Sequence, residues 1–558
     1  MTNAAIFMHP DAFNTSGKAL MGRHSAGESF LKGFVQYADI DRLVLWNGSP
    51  ATSAAMEESL RKLVPIDKPV QWVERENRAS LKAVGCAYLP VPGVGREAWA
   101  RRIVGENAYS IAGVTHTTCT HRILDTIGEL MISPTQPWDA LICTSRAVKA
   151  SLEVELGGID EFLRERFGTT KTPEIRLETI PLGVNVSDFQ TSPENRKAWR
   201  ERLGIPEDDI VVLYVGRFSA SSKMNPIPMA MALERAAVKT QKKIHWVLSG
   251  WSSTETLDKA FHDATREHCP HVTYHVVDGR APETRFSIWS IGDIFLSLSD
   301  NIQETFGLTP VEAMAAGLPS VVSDWDGYKD TVRHGVDGFR VSTYAPRPGL
   351  GRDLAYRHEF DLANYQTYVG SASQFTAVDV DEAARALLDL ILSPQLRAHM
   401  GAAAKTRAQQ VFDWSKVIPA YQALWADMNA RRLAAPATLS SRNQTENPWR
   451  LDPFRMFACY PTEHLTPMTI VAATPGATDA ALKALLKNPL VRFGMPFLPQ
   501  VHELETLVFR LAGERQMTVG DILAFYPAPR RNRIERSLLM LAKYGMVSIR
   551  ARTLLIPN

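Results

Sequence analysis

The chain has 558 residues, more than one hydrophobic core organises, and at about 100–200 residues per domain it divides into three or four units. Hydrophobic residues make up 45% and charged residues 22%, as in ordinary soluble globular proteins, and a net charge of +2 excludes a global electrostatic pull toward nucleic acid or anionic membrane. The five cysteines (Cys86, Cys119, Cys143, Cys269, Cys459) are scattered with no Cys-x-x-Cys pair, which argues against a structural zinc site or a disulfide scaffold and for a reducing compartment.

Ala4 to His9 (AAIFMH) has no basic stretch before it and no small-residue cleavage site after it, so it reads as a first buried strand. No run approaches the roughly 18 apolar residues of a membrane span. A cytoplasmic protein is expected, with peripheral docking on a membrane left open. After the first strand, Arg23 and His24 lie between Gly22 and Gly27 in what reads as a loop, where glycines permit close approach of a ligand. LVLW (43–46), YSIAGVTHT (109–117), DALICTS (139–145) and RLETIPLG (176–183) read as strands, and Ser145 caps a helix. This alternation predicts a mostly parallel, doubly wound sheet over 1–190.

The pattern restarts after Ser192-Pro193. Strands are predicted at 210–216, 244–248, 271–277 and 293–298, with a helix over 228–238, so 191–412 forms a second Rossmann-like unit. Ligands of such sheets bind outside the carboxyl ends of the strands. Residues 344–375 break the alternation and are too long for an ordinary connection of about 2–6 residues, so they read as an insertion. Helical patterns follow over 381–410 and from Trp414 to Arg432, and the polar run 437–448 lies in a linker, 433–452.

The tail, 453–558, reads as a separate small domain. His502 to Ala512 is helical, Thr518 caps a short helix, and Arg531 to Tyr544 is amphipathic with Ile534, Leu538 and Leu541 on one face. MVSI and TLLIP then suit a hairpin. Helix, helix, turn, helix and wing is a winged-helix-like order.

The chemistry concentrates in two places. Gly216-Arg217 leaves a strand and Lys223 follows, a fork and a point charge suited to a diphosphate. Two solvated basic residues on a loop is the plainer alternative. In NIQETFGLTPVEAMAAGLPSVVSD, Glu304 and Glu312 are separated by seven residues. Thr309, Pro310 and Glu312 read as N-cap, first helical residue and capping box, which accounts for Glu312 without a ligand, although its carboxylate could equally accept the hydroxyls of a ribose. Phe306-Gly307 leaves backbone N–H groups to face a ligand beside Glu304. His116 ends an apolar strand next to Thr117 and Thr118, a polar setting for a cleft. Asp324-Trp325-Asp326 invites a metal reading, but Asp39-Ile40-Asp41 and Asp379-Val380-Asp381 show how cheaply that spacing arises. No metal site is predicted.

Taken together, IPLGVNVSDF (180–189), GRFSASSK (216–223) and ETFGLTPVEAMAAGLPSVVSD (304–324) resemble the family-four retaining glycosyltransferases of GT-B fold, over roughly residues 1–432. The resemblance implies two tandem Rossmann-like domains, with 413–432 crossing back to the first, and transfer of a sugar from a nucleotide-diphosphate donor without a metal or other cofactor. It implies that Arg217 and Lys223, beside Gly216, neutralise the donor diphosphate. Glu304 would hold sugar hydroxyls with the backbone of Phe306, Gly307 and Leu308, Glu312 would bind the ribose, and His116 would meet the sugar from the first domain. Gly22, Arg23 and Gly27 are further expected contacts. The implied acceptor is a carbohydrate, a lipid-linked group or a protein. Gly250-Trp251-Ser252 stands where relatives carry Gly-x-Gly, and neither the insertion nor the tail is a general family feature. A rival reading comes from the tail: Arg530, Arg531, Arg533 and Arg536 could contact DNA, making the chain a regulator or a nucleic-acid-modifying protein, or the tail could dock a protein partner.

Overall fold

The first 180 residues form strands, and the central ones are buried on both faces, which is why their apolar runs lack an alternating pattern. Seven strands, β1 (Ala5–Met8), β2 (Leu43–Asn47), β3 (Val70–Val73), β4 (Cys86–Leu89), β5 (Ser110–Val114), β6 (Ala140–Cys143) and β7 (Arg176–Thr179), pair in the order β3-β2-β1-β4-β5-β6-β7. Every pairing is parallel. A computed structural model describes residues 3–9, 22–240, 242–436, 447–492, 494–514 and 516–550. Two compact units divide the chain, Met1–Asn447 and Pro448–Asn558.

Six further strands of the first unit form a second parallel sheet. They are β8 (Ile210–Arg217), β9 (Ile244–Trp251), β10 (Thr273–Asp278), β11 (Ile294–Ser297), β12 (Ser320–Ser323) and β13 (Gly338–Val341), in the order β10-β9-β8-β11-β12-β13. The order reverses between β1 and β4 in the first sheet and between β8 and β11 in the second. At such a switch point the connections leave to opposite sides and open a crevice beyond the strand ends. Arg217 ends β8, and the segments after β8 and β11 carry Lys223 and Glu304.

The stretch expected as a loop after β1 is a helix, Gly22–Tyr37. Ala26, Phe30 and Phe34 repeat every four residues and are buried, so a continuous apolar face overrides the glycines. That face packs on the helix Trp414–Ala434, which crosses back from the second sheet; Phe30 meets Trp414 and Tyr421, and Phe34 meets Trp425. Gly33 is required there, because a Cβ would stand 2.3 Å from the Trp414 ring. Gly22, Arg23 and Gly27 are therefore helical rather than part of an open ligand loop.

The insertion 344–375 is folded. A two-stranded antiparallel pair, β14 (Thr343–Tyr344) with β15 (Ala377–Val378), ties its ends. Two helices, Arg352–Glu359 and Tyr365–Gln374, fill it, and Asn364 caps the second by accepting from Thr367 N at 2.9 Å.

The second unit has a three-stranded sheet, β16 (Ile470–Ala473), β17 (Met517–Thr518) and β18 (Val547–Arg550), with β16 central and antiparallel to both neighbours. Thr518 caps the helix Val519–Ala524, and the helix Ala528–Lys543 buries Ile534, Leu538 and Leu541. Val547–Arg550, in the first half of the expected hairpin, pairs with β16, while its second half, TLLIP, and most of the polar run 437–448 lie outside the described residues. No helix among the described residues is long and apolar enough to cross a membrane.

Candidate active site

Strand β8 delivers the first part of the site. Gly216 and Arg217 are its last two residues, and the Tyr214 hydroxyl donates to Arg217 O at 3.2 Å. The following loop folds on itself, with Lys223 N donating to Ser219 O at 2.9 Å and the Ser219 and Ser222 hydroxyls 2.8 Å apart. This turn aims Lys223 back across the switch point. Lys223 Nζ stands 3.2 Å from Glu304 Oε2. Arg217 has no carboxylate partner among the described residues, so its charge is available to an anion.

Glu304 follows β11 on a loop organised by Asn301. Asn301 is fully buried; its Oδ1 accepts from Gln303 N at 2.9 Å and its Nδ2 donates to Ser221 O at 2.8 Å. Glu304 Oε1 accepts from Thr305 N at 3.3 Å and Gly307 N at 3.1 Å. Burial pushes the Glu304 carboxyl up, but the Lys223 charge and hydrogen bond and the backbone N–H groups of Thr305 and Phe306 outweigh it and hold the carboxyl below its usual value. Glu304 is thus a fixed carboxylate. The N–H groups of Phe306 and Gly307, expected to face a ligand, are turned on Glu304 itself. Phe306 is buried against Phe412.

The helix begins two residues earlier than its sequence signals predict. It runs Leu308–Ala315 with Gly307 as N-cap, at φ +83 and with no side-chain cap bond. Thr309 is therefore inside the first turn, Pro310 is its third residue, and no capping box forms. Gly307 fixes this start, since its left-handed backbone favours glycine and a Cβ would stand 2.1 Å from the Tyr328 ring. Pro310 still costs nothing, because the first four helical N–H groups have no partner within the helix. The capping explanation for Glu312 is removed. Burial raises its carboxyl to about 7, opposed by the Arg285 charge. Leu308 packs into the second sheet's core beside Val311.

The Asp-x-Asp residues are dispersed. Asp324 pairs with Arg340 at 3.3 Å. Asp326, at φ +43, accepts from the Ser145 hydroxyl at 3.4 Å, and burial followed by the negative charge of Glu304 pushes its carboxyl well up. Asp330 accepts from Arg146 N and Arg146 Nε, both at 2.7 Å. These contacts join the start of the helix Arg146–Phe167 in the first sheet's layer to the segment after β12.

His116 lies two residues beyond β5. Its neighbour Thr115 is fixed to Ile142 O through both backbone N–H (2.9 Å) and hydroxyl (3.2 Å). Thr117 Oγ1 stands 3.5 Å from the hydroxyl of Tyr365, from the insertion. The structure so brings Gly216, Arg217, Lys223, Glu304, Gly307 and the start of the Glu312 helix to one switch point, with the segment after β5 connected to it through Tyr365 and Gln303. Gly22, Arg23 and Gly27 are not shown there. Asn301, Tyr328 and Tyr365 were not singled out. Asn301 and Tyr328 flank the motif in sequence, where an Asn-x-Gln turn was a usable signal; nothing local marks Tyr365.

Residues 195–347, which contain Arg217, Lys223, Glu304 and Glu312, match the family model described as "Glycosyl transferases group 1". The D-inositol 3-phosphate glycosyltransferase of Thermobispora bispora is 28% identical over 188 residues, 33% of this chain and 43% of that protein. The protein of the same name from Streptomyces griseus subsp. griseus is 27% identical over 275 residues, 46% of this chain and 48% of the relative. The chain spans less than half the length of these curated relatives. The crystal structure of Anabaena HepE in complex with UDP aligns with a TM-score of 0.50 at 17% identity, covering 76% of this chain and 100% of that one. The two parallel sheets of the first unit have the GT-B architecture, and residues 195–347 within it are similar to the group 1 glycosyltransferases.

Proposed function

We propose that this protein is a glycosyltransferase that moves a sugar from a nucleotide-diphosphate-sugar to an acceptor with retention of configuration. The observation that carries the reading is the Lys223–Glu304 pair beside Arg217 at the β8/β11 switch point. Two cations there match the charge that grows on a departing diphosphate, and a held carboxylate beside them suits sugar hydroxyls. The domain match, the names of the curated relatives and the UDP bound to HepE support it.

In this mechanism Arg217 and Lys223 stabilise the leaving diphosphate as the glycosidic bond breaks, and the positive end of the helix Leu308–Ala315 adds to their field. The leaving phosphate takes the acceptor's proton on the face from which it departs, which gives retention. Glu304 and His116 position the sugar, and Glu312 accepts from the ribose. Asp324 and Asp326 hold no metal in this scheme, and activity needs none. We assign the tail a winged-helix-like role in docking a partner. A DNA role draws little from it, because Arg530 pairs with Glu503 and Arg531 Nε donates to Tyr526 O at 3.0 Å.

The test is product analysis by NMR after incubation with UDP-, GDP- and ADP-sugars, with D-inositol 3-phosphate among the acceptors, in EDTA. An anomer matching the donor's supports the reading; an inverted anomer, or activity restored only by manganese or magnesium, refutes the mechanism.

A further inference from the structure

Beside the cationic cluster three chain segments bring uncharged polar groups together. Tyr365 opens the second helix of the insertion, and its hydroxyl donates to Gln303 Oε1 at 3.0 Å. The same hydroxyl stands 3.5 Å from Thr117 Oγ1 and 3.5 Å from Cys119 Sγ. Gln303 immediately precedes Glu304, and Thr117 immediately follows His116. The second sheet contributes Gln303, the first sheet Thr117 and Cys119, and the insertion Tyr365.

These groups have bonding capacity left over. The single hydroxyl proton of Tyr365 goes to Gln303. Its lone pairs face Thr117 and Cys119 at the outer limit of a hydrogen bond, well beyond the roughly 2.7–2.8 Å of a good hydroxyl pair. The Gln303 amide nitrogen adds two donors. Burial keeps both Tyr365 and Cys119 protonated by pushing them up from their ordinary values. A neutral set of mixed donors and acceptors suits ligand hydroxyls, whereas a phosphate calls for cations.

The helix Tyr365–Gln374 is also held firmly enough to present a specific contact. Gln366 Oε1 accepts from the Ser221 hydroxyl at 2.8 Å, in the loop that carries Lys223. The Ser373 hydroxyl donates to Asp300 Oδ1 at 2.7 Å, next to Asn301. His358, on the first helix of the insertion, stacks between Tyr368 at 4.1 Å and His121 of the first sheet's layer at 3.8 Å.

We propose that Tyr365, with Gln303 and Thr117, forms a subsite for hydroxyls of the donor's sugar, so that the insertion supplies a specificity-determining residue of the active site. This deepens the glycosyltransferase reading and rests on it. The donor is favoured over the acceptor because Gln303 adjoins Glu304 and the Arg217 charge reaches the Tyr365 hydroxyl, which puts the subsite on the diphosphate side.

The test compares wild type with Tyr365→Phe by calorimetric titration of UDP against UDP-glucose and of GDP against GDP-mannose. Tyr365→Phe keeps the ring's packing and removes only the hydroxyl. The expected result is affinity for the nucleoside diphosphate within about twofold of wild type and a loss of about fivefold or more for the nucleotide-sugar that wild type prefers, the scale of one hydrogen bond. Equal losses for diphosphate and nucleotide-sugar would show a residue that merely supports the loop. Unchanged affinity for both would show that the hydroxyl does not touch the donor. Gln303→Ala carries the same comparison if Tyr365→Phe misfolds. Wild type that binds none of the four probes, nor ADP or ADP-glucose, would refute the glycosyltransferase reading itself, and this subsite with it.

Discussion

Lys223 Nζ lies 3.2 Å from Glu304 Oε2 and joins segments 81 residues apart in the chain. The pair spans the β8/β11 switch point, so the topology of the sheet, rather than either loop alone, brings the charges together. Glu304 also accepts from Gly307 N. One carboxylate therefore holds the lysine, the loop and the entry to the helix in fixed positions before any ligand arrives, which is the preorganisation that electrostatic catalysis needs.

Lys223→Ala and Arg217→Ala are each expected to lower kcat/KM by about 100- to 1000-fold, the scale of one lost contact to developing charge, about 2.7–4 kcal/mol. Both sites are half-buried loop or strand-end positions outside the core, so circular dichroism and melting should show a folded protein. Steady-state kinetics near wild type in either variant contradicts a diphosphate role.

Glu304→Gln and Glu304→Ala should separate two duties of this side chain. The amide oxygen of Gln can still accept from Gly307 N and Thr305 N, whereas Ala leaves those N–H groups unpaired at a cost of about 1–3 kcal/mol. Turnover should fall steeply in both, and Tm should fall markedly only in Glu304→Ala. Retained turnover in Glu304→Gln shows that the carboxylate is structural alone.

Much of the site was legible because its carriers are local. Gly216-Arg217 closes an apolar run, and Gly317, at φ +78, stands just past the end of the helix, where a left-handed glycine is common. The helix start is not legible in the sequence because Thr309-Pro310-x-Glu312 satisfies the usual signals, while the deciding contact is the Tyr328 ring on Gly307, set by tertiary packing. The helix Gly22–Tyr37 was hidden by its glycines, one of which exists to admit Trp414 from the far end of the domain pair. Tyr365 meets Thr117 across 248 residues of chain, and a contact at that separation leaves no periodicity to read.

Gly307→Ala should be among the most damaging single substitutions in this unit. It combines a backbone at φ +83 with a Cβ 2.1 Å from the Tyr328 ring. A bulky contact forced into packed core costs about 1–3 kcal/mol, and the backbone strain adds to it. Loss of activity and a lowered denaturation midpoint are expected together. A variant that melts like wild type places the helix start elsewhere.

Glu312 should make stability and binding respond oppositely to pH. Burial raises its folded value to about 7 from 4.5, so between those values the unfolded chain releases a proton that the folded chain keeps. The group's contribution to stability is complete below about pH 4.5 and is lost as pH rises through about 7, by at most about 3 kcal/mol at roughly 1.4 kcal/mol per pH unit. Glu312→Gln should flatten that loss in denaturation measured from pH 5 to about pH 8. Nucleotide affinity should instead rise with pH in wild type, since in the proposed binding mode the ribose hydroxyls donate to the carboxylate, and calorimetry of UDP or GDP at about pH 6 and pH 8 should show this rise absent in Glu312→Gln. A rise of equal size in both proteins detaches Glu312 from the ribose.

The most direct measurement is release of nucleoside diphosphate from a panel of UDP-, GDP- and ADP-sugars by wild type and by Lys223→Ala, each followed by chromatography. A glycosyltransferase working through this switch point should cleave at least one donor with wild type and do so about 100-fold or more slowly with Lys223→Ala. Cleavage of none by wild type, or equal cleavage by both proteins, contradicts the assignment of Arg217, Lys223 and Glu304 as the donor site.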